Sequence, residues 1–146
     1  MHVSRQERME SFDQKHYVRP HLAYSKMKLA EESGRTVWLY GATSYGKTSF
    51  INSYFGNRHI TYFSANQLQE ADLITSEELR GTIVIDDLQT LLCPDICPDI
   101  WKAIEKLVMK EDAWLILISR GKIPKWLHGA FIKHPFTVIE EKNLEL

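Results

Sequence analysis

Apolar and polar positions along the chain alternate between two kinds of block. Blocks of the first kind are short and rich in β-branched and aromatic residues, apolar throughout or at every second position. That is the pattern of strands in a largely buried sheet. They cover residues 35–40, 59–64, 82–87, 113–119 and 136–140. Blocks of the second kind carry apolar residues at helical spacing. One runs from His21 to about Glu32 behind Pro20, with Leu22, Met27, Leu29 and Ala30 as candidate core contacts and Ser33-Gly34 as its stop. Another, residues 49–55, places Phe50, Ile51, Tyr54 and Phe55 ahead of a Gly56-Asn57 stop. A third has Asp99 as its expected N-cap and Ile100, Ile104, Leu107 and Val108 on one face, with Lys102, Glu105, Lys106 and Lys110 opposite. Residues 65–80 are polar and predict a short helix or two, 88–98 a loop, and 123–127 a helix or turn. Strands that alternate with helical segments predict a parallel sheet covered by helices on both faces.

Composition narrows this only a little. The 146 residues amount to one domain, and a single α/β core is feasible at that size. Residues 1–16 are charged and aperiodic and read as a leader, flexible or forming a short surface helix; residues 17–146 are the predicted domain. A formal net charge of −1 gives no electrostatic footprint for nucleic acid. No apolar run approaches the roughly 20 residues of a membrane helix, and the polar start, Met1 to Glu7, offers no signal peptide. A cytoplasmic protein with no membrane partner is expected. Cys93 and Cys97 belong to a tandemly doubled Cys-Pro-Asp-Ile. Two thiols with no placed third and fourth ligand make a poor zinc site, so free thiols are expected. His128 and His134 are expected at or near the surface rather than as a metal pair.

One stretch carries specific chemistry. Gly41-Ala42-Thr43-Ser44-Tyr45-Gly46-Lys47-Thr48 reads G-x-x-x-x-G-K-T, a phosphate-binding loop. Gly41 and Gly46 permit backbone conformations in which successive N–H groups, those of Ala42, Thr43, Ser44 and Tyr45 among them, turn inward to phosphate oxygens. Lys47 would reach the β- and γ-phosphates, and the Thr48 hydroxyl would bind Mg²⁺. Ser49 opens the helix whose positive end faces the anion. The buried strand before the loop and the helix after it outweigh the alternative, a glycine turn followed by chance by Lys-Thr.

The apolar run 82–85 leads straight into Asp86-Asp87. Burying that strand puts both carboxylates at its C-terminal edge, where open α/β sheets bind ligands. There Asp86 would hold Mg²⁺, directly or through water, and Asp87 would orient or deprotonate an attacking water. The acidic pair suggests the P-loop branch that inserts a strand between the P-loop strand and the acidic strand. The predicted fold is therefore an α/β P-loop NTPase, a three-layer α/β/α sandwich on a mostly parallel five-stranded sheet of order 5-1-4-3-2. In that arrangement Arg120, after Ser119 at the end of the fourth strand, could bond the γ-phosphate. Lys47, Asp87 and Arg120 are the candidate catalytic residues.

These residues resemble the nucleotide-binding domain of STAND-type ATPases, and more closely that of the large ATP-binding LuxR-type transcriptional regulators. Val18-Arg19-Pro20-His21-Leu22 is similar to that family's motif upstream of the P-loop, and Ser44-Tyr45-Gly46-Lys47-Thr48 to its Gly-Tyr-Gly-Lys-Thr loop. Residues 83–89 resemble its acidic strand. Residues 117–120, 123–127 and 138–144 resemble its sensor strand and the way out of its core. The likeness covers about residues 17–146. It implies that Val18 and Arg19 line an adenine pocket, that Arg120 is a phosphate sensor, that the cofactors are ATP or ADP with Mg²⁺, and that the ATP-bound parent self-associates. It departs in a shorter stretch between Lys47 and Asp86 and in Ser44, where the family usually has Gly. Family members continue into a sensor and a DNA-binding helix-turn-helix. The expectation is therefore a nucleotide-switch domain excised from a longer regulator, or a truncated gene product, that hydrolyses ATP slowly and meets DNA only through the missing part.

Residues 62–65 and 85–89 also resemble replication-initiator or loader-type AAA+ cores, the alternative reading. A small-molecule kinase would need an Arg-rich lid, and Arg120 with Lys122 is too little. A non-catalytic module would not need Lys47, Thr48, Asp86 and Asp87 all intact. The guanine-reading Asn-Lys-x-Asp is absent from the sequence, which tilts the base towards adenine.

Overall fold

The computed structural model describes residues 20–42, 44–65, 79–91, 98–130 and 134–144, with the backbone alone for 44, 45 and 128–130. In chain order the elements are α1 (His21–Ser33), β1 (Val37–Tyr40), α2 (Ser44–Phe55), β2 (Thr61–Ser64), β3 (Gly81–Asp86), a 3-10 turn (Leu88–Leu91), α3 (Pro98–Val108), β4 (Ala113–Ser119), α4 (Lys125–Ala130), β5 (Thr137–Glu140) and a second 3-10 turn (Glu141–Leu144). The helices expected within 65–80, the Cys93–Cys97 loop and the leader fall largely or wholly outside the described residues.

The five strands form one sheet in the order β2-β3-β4-β1-β5, and every pairing is parallel. This is the order read from the sequence, taken from the other edge, and the sheet is parallel throughout rather than mostly so. β4 lies between β1 and β3, as the acidic pair implied. Tyr40 is in register with Ser119 on one side and Glu140 on the other, and Ser64 with Asp86. One edge of the sheet thus collects the ends of all five strands.

Alternation along the strands builds two cores. Trp38, Ile83, Ile85, Leu115 and Leu117 face α3 and α4, where Ile100, Trp101, Ile104, Leu107 and Leu127 are buried against them. Val37, Leu39, Val84, Ile116, Ile118 and Ile139 face α1 and α2, meeting Ala23, Met27, Ala30, Phe50, Ile51 and Phe55. The layers are helix, sheet, helix. Removing most of one central side chain, as in Ile116→Ala, would cost about 2–5 kcal/mol. The buried tryptophans find acceptors: Trp38 Nε1 donates to Gly121 O at 3.1 Å, Trp114 Nε1 to Arg35 O at 2.8 Å and Trp101 Nε1 to Leu91 O at 2.6 Å.

Three local readings change. Leu22 and Leu29 are 55% and 66% exposed. The face of α1 on the sheet is Ala23, Met27 and Ala30. Small residues let this helix approach the sheet closely, and the two leucines sit about 100° away around it. The helix after the loop begins at Ser44, ahead of the expected 49. Asp99 is not the N-cap of α3, because Pro98 already starts the helix. Proline suits that position, where its missing N–H costs nothing, and Asp99 in the first turn still complements the helix's positive end. Among the described residues no helix is long and apolar enough to cross a membrane.

Candidate functional site

The loop leaves β1 at Gly41, whose N–H donates to Ser119 O at 3.3 Å and so ties it to the end of β4. A Cβ built on Gly41 would lie 2.7 Å from the Glu141 Cβ. Glycine is required here because the chain's own later segment comes so close. Gly46 faces the same segment, with Leu144 Cδ1 3.9 Å from where its Cβ would stand. On α2 the Thr48 side chain is exposed and Ser49 is buried. Thr43, like Val18 and Arg19, lies outside the described residues.

Lys47 is 3% exposed. Its ammonium donates to Gly41 O, and to Ser119 O at 3.4 Å. Burial holds its pKa below the usual lysine value; the carboxylates of Asp86, Glu141 and Asp87 oppose that shift, and the Arg120 charge adds to it. The charges of both strand-end carboxylates, Glu141 and Arg120 thus all act on the loop lysine.

Asp86 ends β3, and its two oxygens each accept a bond. Tyr62 Oη donates to Oδ2 at 2.6 Å and the Asp87 N–H to Oδ1 at 2.7 Å. Burial raises its pKa; the Tyr62 bond lowers it, the Asp87 charge raises it again, and the balance is upward. Each oxygen keeps a lone pair. The Asp86 carboxylate and the Thr48 hydroxyl are hard oxygen donors of the kind Mg²⁺ takes in ones and twos, with phosphates and water supplying the rest. No group of three or more His, Cys, Asp or Glu that could hold a metal ion gathers among the described residues. A cation here would need phosphate oxygens to complete its shell.

Asp87 leaves the strand with φ 59°, the left-handed region. Aspartate tolerates that conformation better than most residues. Its Oδ2 accepts from Ser64 Oγ at 3.1 Å and its Oδ1 from Gln89 Nε2 at 3.5 Å. The Oε1 of Gln89 in turn accepts the Arg120 N–H at 3.2 Å. One carboxamide thus links the Asp87 carboxylate to the backbone at the end of β4, while the Arg120 side chain is exposed.

Tyr62, Ser64, Gln89 and Glu141 were not among the candidates read from the sequence. For Tyr62 and Ser64 a signal existed. They end a strand expected beside the acidic one, and parallel register makes neighbouring strand ends meet. Gln89 and Glu141 gave none, since both stand in turns that apolar periodicity does not place.

No protein-family model and no curated protein matches the sequence. Among solved structures, the replication initiator DnaA bound to AMPPCP and single-stranded DNA superposes with a TM-score of 0.60 at 18% identity, over 90% of this chain and 48% of that one. AMPPCP-bound DnaA from Aquifex aeolicus gives 0.60 at 18%, over 90% and 49%. PCH-2 from C. elegans gives 0.56 at 14%, over 83% and 41%. The chain spans about half the length of these structures or less. At such identities the likeness is one of fold, and the fold is that of a P-loop ATPase core.

Proposed function

We propose that this chain is an adenine-nucleotide switch domain, spanning residues 17–146, that binds ATP or ADP with Mg²⁺ and hydrolyses ATP slowly. The observation that carries this reading is the buried Lys47 ammonium, held on the carbonyls of Gly41 and Ser119 at the C-terminal sheet edge where β3 ends in Asp86. The backbone N–H groups from Ala42 to Gly46 would cradle the phosphates, Lys47 would leave the carbonyls of Gly41 and Ser119 for them, and Val18 and Arg19 would border the adenine. Thr48 and Asp86 would hold Mg²⁺, which when bound spreads charge between phosphate oxygens. Water would attack the γ-phosphate in line. Asp87 would orient it and take its proton, with Lys47 and Arg120 offsetting negative charge. The bonds from Ser64 and Gln89 hold the Asp87 carboxylate, so a base that must first be released gives a reason for slow turnover. As a switch, γ-phosphate contacts would shift the population towards one arrangement.

The LuxR-type regulator reading of a longer, cytoplasmic, self-associating parent rests on the order of its motifs along the chain. The initiator reading rests on the likeness of residues 62–65 and 85–89 to such cores; the fold shared with DnaA, seen bound to single-stranded DNA, is shared with PCH-2 as well and does not separate the readings. Calorimetric titration with ATP, ADP and GTP, with and without Mg²⁺, tests the site. Adenine preference and Mg²⁺ dependence are expected, and a Lys47→Ala protein that binds equally well removes the loop from the account. Fluorescence anisotropy of a single-stranded oligonucleotide with the ATP-loaded chain separates the parents. Binding favours the initiator reading, and none the regulator, whose DNA contacts lie elsewhere.

A further inference from the structure

The C-terminal edge also holds Glu141. It opens the 3-10 turn after β5, and its position is built rather than incidental. Asn143, two residues on, is buried. Its Oδ1 accepts the Glu140 N–H at 2.8 Å and the Lys26 ammonium at 3.2 Å, and the same ammonium reaches Val138 O at 3.1 Å. Leu144 packs against the core under α1 and α2. The turn is thereby fixed to α1, β5 and the loop helix. From this base the Glu141 side chain lies along Gly41, with its Cβ, Cγ and Cδ within 3.1 Å of where a Gly41 Cβ would be. Its Oε2 accepts the Ala42 N–H at 3.4 Å, and its charge acts on Lys47. A carboxylate thus stands at a loop N–H and near the loop lysine, the two kinds of group that would recognise a phosphate oxygen.

We infer that Glu141 is an internal competitor for the phosphate groups of the nucleotide and sets the affinity of the loop. The inference rests on the proposed reading of the loop as a nucleotide site. A bound phosphate and the Glu141 carboxylate cannot share the Ala42 N–H and the Lys47 charge without repelling each other across a few ångströms of half-buried protein. Binding therefore requires Glu141 to withdraw. Because Glu141 begins the turn that Asn143 and Leu144 anchor, its withdrawal strains or moves that turn. Phosphate occupancy would then be felt by the last described segment of the chain.

The test is titration calorimetry with Mg²⁺-ATP on the full chain and three variants. Glu141→Gln keeps the shape and removes the charge; it should tighten ATP binding by about tenfold, near the water-screened scale of one like-charge contact, because a withdrawn Glu141 carboxylate meets solvent. Glu141→Asp keeps the charge on a shorter arm and should fall between. Glu140→Gln makes the same change in net charge one residue away, where the side chain pairs with Lys142 at 3.0 Å, and should alter affinity less than about twofold. Equal or weaker binding by Glu141→Gln, with wild-type chain still binding, overturns the inference and leaves the loop reading standing. Failure of every form to bind ATP overturns the loop reading itself. Melting curves identify any variant that does not fold, and the graded Glu141→Asp protein then decides.

Discussion

The N-terminal and C-terminal edges of the sheet are both polar, and they use polarity differently. At the N-terminal edge a cleft of about 610 Å³ is lined by Glu31, Gly34, Gly81, Asp112 and their neighbours. Three of the charged groups that line it are paired locally: Asp112 with Arg80, Lys110 with Leu79 O at 2.6 Å, and Glu31 with Arg58. Its glycines, Gly34 and Gly81, have positive φ and turn the chain. At the C-terminal edge Lys47 is buried and Asp86 partly so, and burial moves each pKa towards the neutral form, down for Lys47 and up for Asp86. Chemistry that needs a phosphate or a cation belongs where charge is buried and incompletely offset, not in a cleft whose charges are paired at the surface. Substitutions at the two edges should therefore separate into effects on ligand and effects on stability.

The largest separation is expected for Lys47. Lys47→Ala should weaken ATP binding by about a hundredfold or more if, as proposed, the loop lysine makes a charge-assisted contact with phosphate in a partly dry site. Its melting temperature should hold or rise, because a buried charge has been removed. At the opposite edge Asp112→Ala breaks an exposed pair and should leave ATP affinity unchanged. Equal losses of affinity in the two variants, by calorimetry, would erase the contrast.

Asp87→Asn divides binding from turnover within the C-terminal edge. If Asp87 takes the proton of the attacking water, single-turnover ATP hydrolysis should fall by about a hundredfold or more. The ATP dissociation constant should move by less than about threefold. A variant that hydrolyses at the wild-type rate assigns the base elsewhere.

Much of this edge was legible beforehand, and the reason is local. The strand-loop-helix around Gly41 to Thr48 and the run from Thr82 to Asp87 each carry their signal within a few residues. The position of β4 between β1 and β3 followed from the acidic pair. Exposure on α1 was misread because side-chain size stood in for orientation, and two alanines rather than two leucines face the sheet. The conformation of Asp87 was missed because an apolar strand pattern does not show where φ reverses. The pairings of Ser64 with Asp87, Gln89 with Arg120 and Glu141 with the loop join residues 23, 31 and 99 positions apart. Such contacts are set by register and turn geometry, to which periodicity in one stretch is blind.

Gly81 probes the other edge. It opens β3 with φ 77°, and nothing lies within 4 Å of where a Cβ would be. Space is therefore not the constraint, and Gly81→Ala should cost only the left-handed strain, about 1–2 kcal/mol. Denaturant unfolding should show that loss while ATP affinity stays unchanged. No loss of stability would mean the turn relaxes to negative φ.

The smallest effect is expected from Glu31 and concerns pH. Burial works against its ionisation, but hydrogen bonds from Arg58 and Tyr54 and the Arg58 charge outweigh it, leaving the carboxyl below its ordinary value of 4.5. Arg58 Nη1 donates to Oε2 at 2.5 Å and Tyr54 Oη to Oε1 at 2.7 Å. A depressed folded-state value means the folded chain holds this proton less tightly than the unfolded one. The stabilisation is therefore complete above about pH 4.5 and is lost as pH falls through the lower folded value. Glu31→Gln should melt below wild type near neutrality, and the gap should close as the pH is lowered from about 6 to about 3. The group is part-exposed, so the gap should also shrink in high salt. ATP affinity should not change, because Glu31 sits at the edge where charges pair with one another. A gap that widens on acidification would reverse the sign of the assignment. A change in ATP affinity would show that the two edges are coupled through α1, whose Lys26 holds the turn that begins at Glu141.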